Sequence, residues 1–269
     1  IQPGIESLSD ETLRLMRKGV TGLQNAQLLR WCREMDMHAT WNWLYGLPDE
    51  KPLEYERMRQ WIPFLHHLQP PIGFGRIRLD RFSPLFDFQK MFGICNVRAS
   101  LPYRLIYPLD ESTLNDLAYH FDYDYEDGRE PDEYAAGLAY EILRWRDLWR
   151  ARRRPPILSM LDMRLCVVIY DTRPCATRNV IVLVGIEADI YRHLVDIRTH
   201  DQLIQHFTRL GFQTTEIQKA ISNLIEKKLV LVDSDRCLAL ACDASAALRQ
   251  RLPLIVRTQN LLSRKRALE

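Results

Sequence analysis

Glycine and polar residues gather at the ends of two predicted strands, where a protein can bind a small molecule. The first group follows the opening residues and contains Gly4, Glu6 and Ser7. The second is the run from Tyr45 to Glu50. Glycine lets the backbone approach a ligand closely, and carboxylates and hydroxyls hydrogen-bond to it. The alternative is that Glu6 and Ser7 only cap the helix that follows.

Caps and apolar spacing predict the elements that hold these groups. Ser9, followed by two acidic residues, predicts a helix that ends near Lys18, and Thr21 predicts the start of a second helix. A strand over residues 39–44 and a helix over 53–68 follow. This order is typical of a parallel α/β barrel, whose strand ends form the ligand rim. Because Ile1 is not an initiator Met and the first strand is short, we expect the chain to be the C-terminal part of a longer protein.

Residues 72–80 alternate between apolar and charged side chains. The alternation sends Ile77 and Leu79 to one face and Arg76, Arg78 and Asp80 to the other. A barrel strand has one face on the helices and one in the lumen, so the charged residues would line a substrate cavity. The alternative is an edge strand outside the barrel, with a solvated face.

Composition changes near residue 150 and indicates two regions. All six Trp and nine of the eleven Tyr precede residue 150, and a basic run closed by two prolines occupies residues 150–156. Before it, the sequence predicts a strand over 103–108, a short helix over 114–121, an acidic loop over 122–132 and a long helix to about residue 152. We expect a barrel part at 1–109, a helical extension and linker at 110–156, a second domain at 157–245 and a charged tail at 246–269.

The second domain is predicted to be a small α+β winged helix. Strands over 157–162, 165–171 and 179–184 precede helices over 187–195, 199–210 and 214–227, and a hairpin over 229–233 and 236–241 follows. The third helix carries lysines and glutamates in balance, which argues against DNA. The same arrangement with preceding strands suits peptide docking, in which a partner strand adds to a sheet edge.

Charge and cysteine usage exclude several classes of protein. A net charge of +2 and a pI near 8.2 are too close to neutral to support nucleic-acid binding. No apolar run is long enough for a membrane span, so we expect a cytoplasmic protein with no membrane partner. No metal site is predicted, because the six cysteines form no Cys-x-x-Cys pair and adjacent helical residues such as His66 and His67 point about 100° apart.

Three runs resemble a known family. They are Gln-Pro-Gly-Ile-Glu-Ser-Leu-Ser at 2–9, Lys-Gly-Val-Thr at 18–21, and Trp-Asn at 41–42 running to Tyr-Gly-Leu-Pro at 45–48. They resemble the C-terminal half of the barrel in cobalamin-type radical S-adenosylmethionine enzymes, in the subgroup that matures ribosomally made peptides. Residues 79–84, 92–94 and 103–108 are also similar to that subgroup, so the likeness spans about half the chain.

The resemblance implies the cofactors and partner. Such enzymes cleave S-adenosylmethionine with a [4Fe-4S] cluster held by a Cys-x-x-x-Cys-x-x-Cys loop, and this chain has no such loop. The cluster ligands and any cobalamin-binding domain would therefore lie upstream of Ile1, and the partner would be a precursor peptide. The fold implied is a partial (β/α) radical S-adenosylmethionine barrel followed by the winged-helix-like domain.

The resemblance also assigns cofactor-binding positions. The predicted set is Gln2, Gly4, Glu6, Ser7, Asn42, Tyr45, Gly46 and Pro48. In the family's Gly-x-Ile-x-Gly-x-x-Glu motif, Asn42 replaces the first Gly and Leu44 the Ile, and either Asp49 or Glu50 supplies the acid. The implied function is the distal part of a peptide-modifying radical enzyme that contributes part of the S-adenosylmethionine site and a substrate-docking module. The alternative is a non-catalytic scaffold that binds peptide or nucleic acid.

Overall fold

The computed structural model describes residues 1–150 and 155–244 as a mixed α/β protein with open sheets. Within these residues no sheet closes into a barrel, and no helix has the length and apolarity needed to cross a bilayer. Most of the predicted linker, at 151–154, and the tail from 245 onward lie outside the described residues.

The first part of the chain builds a short parallel sheet covered by helices. Its elements are α1 Asp10–Leu15, α2 Gly22–Glu34, β1 Asn42–Tyr45, α3 Pro52–Leu65 and β2 Gly73–Arg76. The Ser9 hydroxyl accepts from Thr12 N–H, and Thr21 forms a capping box with Gln24, so both predicted helix starts are confirmed. β1 and β2 pair in parallel, and an isolated parallel bridge joins Glu6 to β1.

A second, smaller sheet has its own core. It follows as β3 Leu79–Asp80, α4 Pro84–Asp87, a 3₁₀ turn Gln89–Phe92, β4 Ile94–Ala99, α5 Leu101–Ile106, α6 Glu111–Leu117 and β5 His120–Tyr125. The three strands are antiparallel in the order β3-β5-β4. Leu79, Ile94 and Phe121 belong to this core, which is separate from the main one.

Three predictions fail in this region. The strand predicted over 72–80 is broken, because its first part pairs with β1 and its last two residues pair with β5. Residues 103–108 contain the end of helix α5 rather than a strand, since Pro102 stands at a first-turn position that favours a helix. The acidic loop predicted over 122–132 begins inside β5, where Phe121, Tyr123 and Tyr125 alternate inward between outward acids.

The long helix α7 Pro131–Arg150 closes the first part. It packs on α3 and on β2, and the Trp145 ring lies 6.2 Å from that of Trp41. Trp145 Nε1 donates to Leu68 O at 2.9 Å. α7 therefore covers one face of the parallel strands with buried aromatic side chains.

The last part follows the predicted order of elements. Strands β6 Leu158–Asp162, β7 Cys166–Asp171 and β8 Val180–Val184 precede α8 Gly185–His193, β9 Arg198–Thr199, α9 His200–Arg209, α10 Thr214–Glu226, β10 Val230–Asp233, β11 Arg236–Ala239 and β12 Cys242–Asp243. One sheet has the order β12-β6-β7-β8 and the other the order β10-β11-β9.

One hydrophobic core runs through the first and last parts of the chain. It extends from Ile5 to Cys242. The buried Arg30 donates to Val195 O at 2.5 Å and to Ala239 O at 2.6 Å, and His67 Nε2 lies 2.9 Å from Leu240 O. The predicted domain boundary thus lies between regions that share buried contacts.

Candidate functional site

The parallel strands present two faces of different character. The register pairs Asn42 with Gly73 and Leu44 with Gly75, so these residues share one face, here called the open face. The opposite face carries Trp43, which is fully buried in the main core. Parallel sheets in proteins are normally covered on both sides, so the open face marks a surface that a further segment or a ligand can cover.

Glycine makes the open face accessible. A Cβ placed on Gly75 would have no neighbour within 4 Å, whereas one on Gly73 would lie 2.7 Å from Asn42 Oδ1. Asn42 is itself exposed. A planar group can therefore approach the backbone at Gly75, which lies opposite Leu44, while the Asn42 amide lies opposite Gly73 on the same face.

Three of the predicted cofactor residues, Gly4, Glu6 and Asn42, lie on or next to these strands. Glu6 adopts a positive φ of 56°, and its backbone oxygen accepts from Leu44 N–H at 3.0 Å. Its carboxylate pairs with Lys18 Nζ at 2.6 Å, beside Gly4. Gln2, another predicted residue, is exposed near the start of the chain. The structure therefore places a carboxylate, an amide and glycine backbone on adjacent parallel segments.

The other predicted cofactor residues have structural contacts elsewhere. Ser7 is fully buried, and its hydroxyl lies 3.5 Å from Met58 Sδ. Tyr45 stacks on Phe74 with ring centroids 4.7 Å apart and donates to Asp132. Gly46 and Pro48 are buried, and a Cβ on Gly46 would lie 3.0 Å from the side chain of Arg76. The structure does not bring these four residues to the open face.

Of the three charged residues predicted to line a cavity, Arg78 and Asp80 form an ion pair at 3.6 Å, whereas Arg76 lies apart from them. Arg76 lies on the same face as Trp43, and its guanidinium stacks over the Tyr123 ring at 4.5 Å. Arg78 is exposed, and Asp80 in β3 contacts His120 Nδ1 at 2.7 Å. The break between β2 and β3 separates Arg76 from Asp80, since the two strands belong to different sheets.

Glu50 is the acid that holds the turn after β1. Its Oε2 accepts from Gly46 N–H at 2.7 Å and from the Tyr134 hydroxyl at 3.2 Å, whereas Asp49 is exposed. Burial raises the pKa of the Glu50 carboxyl, although hydrogen bonds to it oppose that rise. Of the two acids that the motif left open, Glu50 is the one with a defined partner.

The Glu50→Gln variant should gain stability relative to the native chain as the pH rises. The folded-state pKa of Glu50 lies above its unfolded value, so its contribution to stability is present below the unfolded pKa and is lost as pH rises through the folded pKa. Glutamine keeps an acceptor for Gly46 N–H and does not ionise. Thermal unfolding measured from acidic to neutral pH should show the unfolding temperature of Glu50→Gln rising relative to that of the native chain. Glu56→Gln, at an exposed carboxylate beside Arg59, is the control, and equal divergence there would contradict the prediction.

A groove runs between the edge strand β8 and the end of α10. Its volume is about 670 Å³, and it is lined by Thr177, Arg178, Val180, Ile181, Val182, Asn223, Glu226 and Lys227. The side chains of Val180, Val182 and Val184 are more than half exposed, at 55%, 55% and 62%. We call this surface the edge groove.

The backbone of β8 has hydrogen-bonding groups directed away from the sheet. Asp171 N–H donates to Asn179 O at 2.9 Å, so these two opposed residues form a hydrogen-bonded pair. Along β7 and β8, hydrogen-bonded pairs then alternate with pairs that are not hydrogen-bonded. Ile181 therefore bonds to β7, while the N–H and C=O groups of Val180 and Val182 point outward. β8 is the terminal strand of its sheet in the described chain, so it offers those groups for pairing.

Comparison with protein-family models, curated proteins and solved structures finds no match to this chain. The site assignments therefore depend on the geometry described above. That geometry favours the edge groove for an extended chain and the open face for a small planar ligand.

Proposed function

We propose that this chain binds an extended peptide by strand addition in the edge groove. The unpaired outer edge of β8 carries the proposal, because a bound strand would satisfy the outward groups of Val180 and Val182. Five consecutive aliphatic residues form β8, and such an exposed edge promotes unwanted pairing unless a partner covers it. The helix–strand order from α8 to β11 supports a winged helix as the module that presents this edge.

Charge limits which peptides suit the groove. Lys227 pairs with Glu187 at 2.5 Å, and Asn223 donates to the same carboxylate at 2.7 Å. Arg178 and Glu226 are exposed at the groove and stand in no such pair among the described residues. A strand with alternating apolar residues and at least one charge of each sign would complement this lining.

Peptide selection followed by hydrogen exchange tests the proposal. Random peptides displayed on ribosomes are enriched on the folded chain, and a selected peptide is then added to protein in deuterated buffer. The amides of Val180 and Val182 should exchange more slowly when the peptide is bound, while Ile181, already bonded to β7, should change less. The proposal is wrong if no peptide is enriched or if the selected peptides protect no amide of β8.

The open face favours a second proposal, that the chain is the distal part of a radical S-adenosylmethionine enzyme acting on the docked peptide. The accessible backbone at Gly75 and the Asn42 amide suit the adenine of an adenosine group. The Glu6 carboxylate, which pairs with Lys18 on the neighbouring segment, would accept from the ribose hydroxyls. S-adenosylmethionine would supply the radical when bound. In the described part of the chain, no group of three or more His, Cys, Asp or Glu side chains is placed to hold a metal ion, so cluster ligands would have to come from elsewhere.

The full-length protein tests the enzymatic proposal. After anaerobic reconstitution with iron and sulfide, it should show the absorption of an iron–sulfur cluster and, once dithionite is added as the one-electron reductant, release 5′-deoxyadenosine from S-adenosylmethionine. Absence of both would rule out the enzyme and leave the scaffold that binds peptide. Salt-sensitive DNA binding would instead favour a nucleic-acid scaffold.

A further inference from the structure

A pocket rich in cationic and amide side chains lies on the side of the last region formed by α8, β9 and α9. Its lining is His193, Arg198, Gln202, Gln205, His206 and Arg209, around a volume of about 260 Å³. No carboxylate lines it, and it shares no residue with the edge groove. We call it the basic pocket.

The pocket is held by the packing of α8 against α9. The rings of His193 and His206 stack 4.3 Å apart at an angle of 17°, and both meet the buried Phe207 ring edge-on. On α9, Gln202, His206 and Arg209 follow one another at helical spacing and so share one face. The Gln202 oxygen accepts from Thr199 N–H, which leaves its amide N–H groups available.

Positive charge in the pocket is weakly compensated. Arg198 reaches Asp196 only at 3.4 Å, and Arg209 forms no ion pair with a described residue. The pKa of His193 is lowered, mainly by burial and then by His206 and Arg198, whereas Asp196 opposes that effect. Two guanidinium groups, two imidazoles and two amides are all able to donate to an oxyanion.

We propose that the basic pocket binds a tetrahedral oxyanion, as a phosphate group that is free or carried by a small molecule. Guanidinium groups match the oxygen geometry of phosphate, and the His193 imidazole adds charge when it takes up a proton. The pocket is too small for a folded partner, and its residues are independent of those that dock the peptide. The site is therefore distinct from the proposed function, and either can fail without the other.

Sulfate is the probe, because it keeps its double charge across the pH range in which histidine titrates. Ring resonances of His193 and His206 should shift on titration with sulfate, and binding should tighten as the pH falls below about 6.5, because the pKa of His193 is lowered from that ordinary value. Arg209→Gln should weaken binding about tenfold, since it removes a charge-assisted hydrogen bond. Arg14→Gln, in the last turn of α1, is the matched control and should bind as the native chain does.

Two further probes represent the two sources of phosphate, free and carried by a small molecule, and the tighter competitor indicates the source. Inorganic phosphate and phenyl phosphate should compete with sulfate, and both should lose affinity in Arg209→Gln. The proposal fails if sulfate leaves both rings unmoved, or if Arg209→Gln and Arg14→Gln have equal effects. It also fails if only a DNA duplex binds and Arg209→Gln weakens it, because the pocket would then be a nucleic-acid contact.

Discussion

Arg173→Met should destabilise the protein by about 3–5 kcal/mol and lower its unfolding temperature by roughly 10 °C. The Arg173 and Asp171 side chains are both fully buried, and two hydrogen bonds of 2.7 and 2.9 Å join them. The guanidinium also donates to Phe64 O at 2.7 Å and to Lys228 O at 2.8 Å. Methionine fills part of the volume but leaves the buried Asp171 carboxylate without its counter-ion, with only the backbone N–H of residue 173 as a donor, and two carbonyl groups without their donor.

Calorimetry of three variants separates charge from packing. The double variant Asp171→Asn/Arg173→Met should recover part of the loss, because its neutral amide still accepts from the backbone N–H of residue 173. Arg59→Met, at an exposed arginine that pairs with Glu56, should unfold at the native temperature. If Arg173→Met unfolds as Arg59→Met does, the buried pair contributes nothing to stability.

Local signals in the sequence predicted the elements whose caps and apolar stripes lie within one segment. Ser9 and Thr21 each cap the helix expected from them, and α10 spans Thr214–Glu226 where a helix over 214–227 is predicted. Capping and helical periodicity involve residues a few positions apart, so the sequence displays them directly. The predicted order of the last region follows from the same kind of signal.

The elements that the sequence did not predict depend on distant pairing. In the sequence, β5 has the composition of an acidic loop. In the structure, it pairs with β3 and β4, and Phe121, Tyr123 and Tyr125 are buried in the core of that sheet. Residues 72–80 alternate without a break, yet Arg76 pairs with Tyr45 and Asp80 with His120. A period of two does not show where one sheet ends and another begins.

The candidate site was predicted in part for the same reason. Alternation along β1 separates Asn42 and Leu44 from Trp43 and Tyr45, but only the packing of α7 reveals which face stays open. The resemblance assigned Ser7 and Tyr45 to the same cofactor site as Glu6 and Asn42. In the structure, Ser7 contacts Met58 and Tyr45 contacts Asp132, so neither side chain lies on the open face. Strand position alone could not distinguish these two groups.

Val182→Pro should weaken peptide binding at least tenfold while leaving the fold intact. Proline removes the N–H of residue 182, which points outward from β8 and forms no bond to β7. Proline is tolerated in an edge strand when its missing N–H would face solvent, so the sheet should keep its other hydrogen bonds. A bound strand, by contrast, would lose a backbone hydrogen bond at the middle of its path.

Val182→Thr is the matched control, because threonine keeps the N–H and the β-branched shape of valine. Fluorescence anisotropy of a selected peptide should show near-native affinity for Val182→Thr and a large loss for Val182→Pro. Circular dichroism must show that both variants stay folded. Ile181→Pro should unfold the sheet, since the N–H of residue 181 faces β7. Proline should therefore be tolerated at position 182 and not at position 181. Equal peptide affinity in Val182→Pro and Val182→Thr would mean that the peptide does not bind through the outer edge of β8.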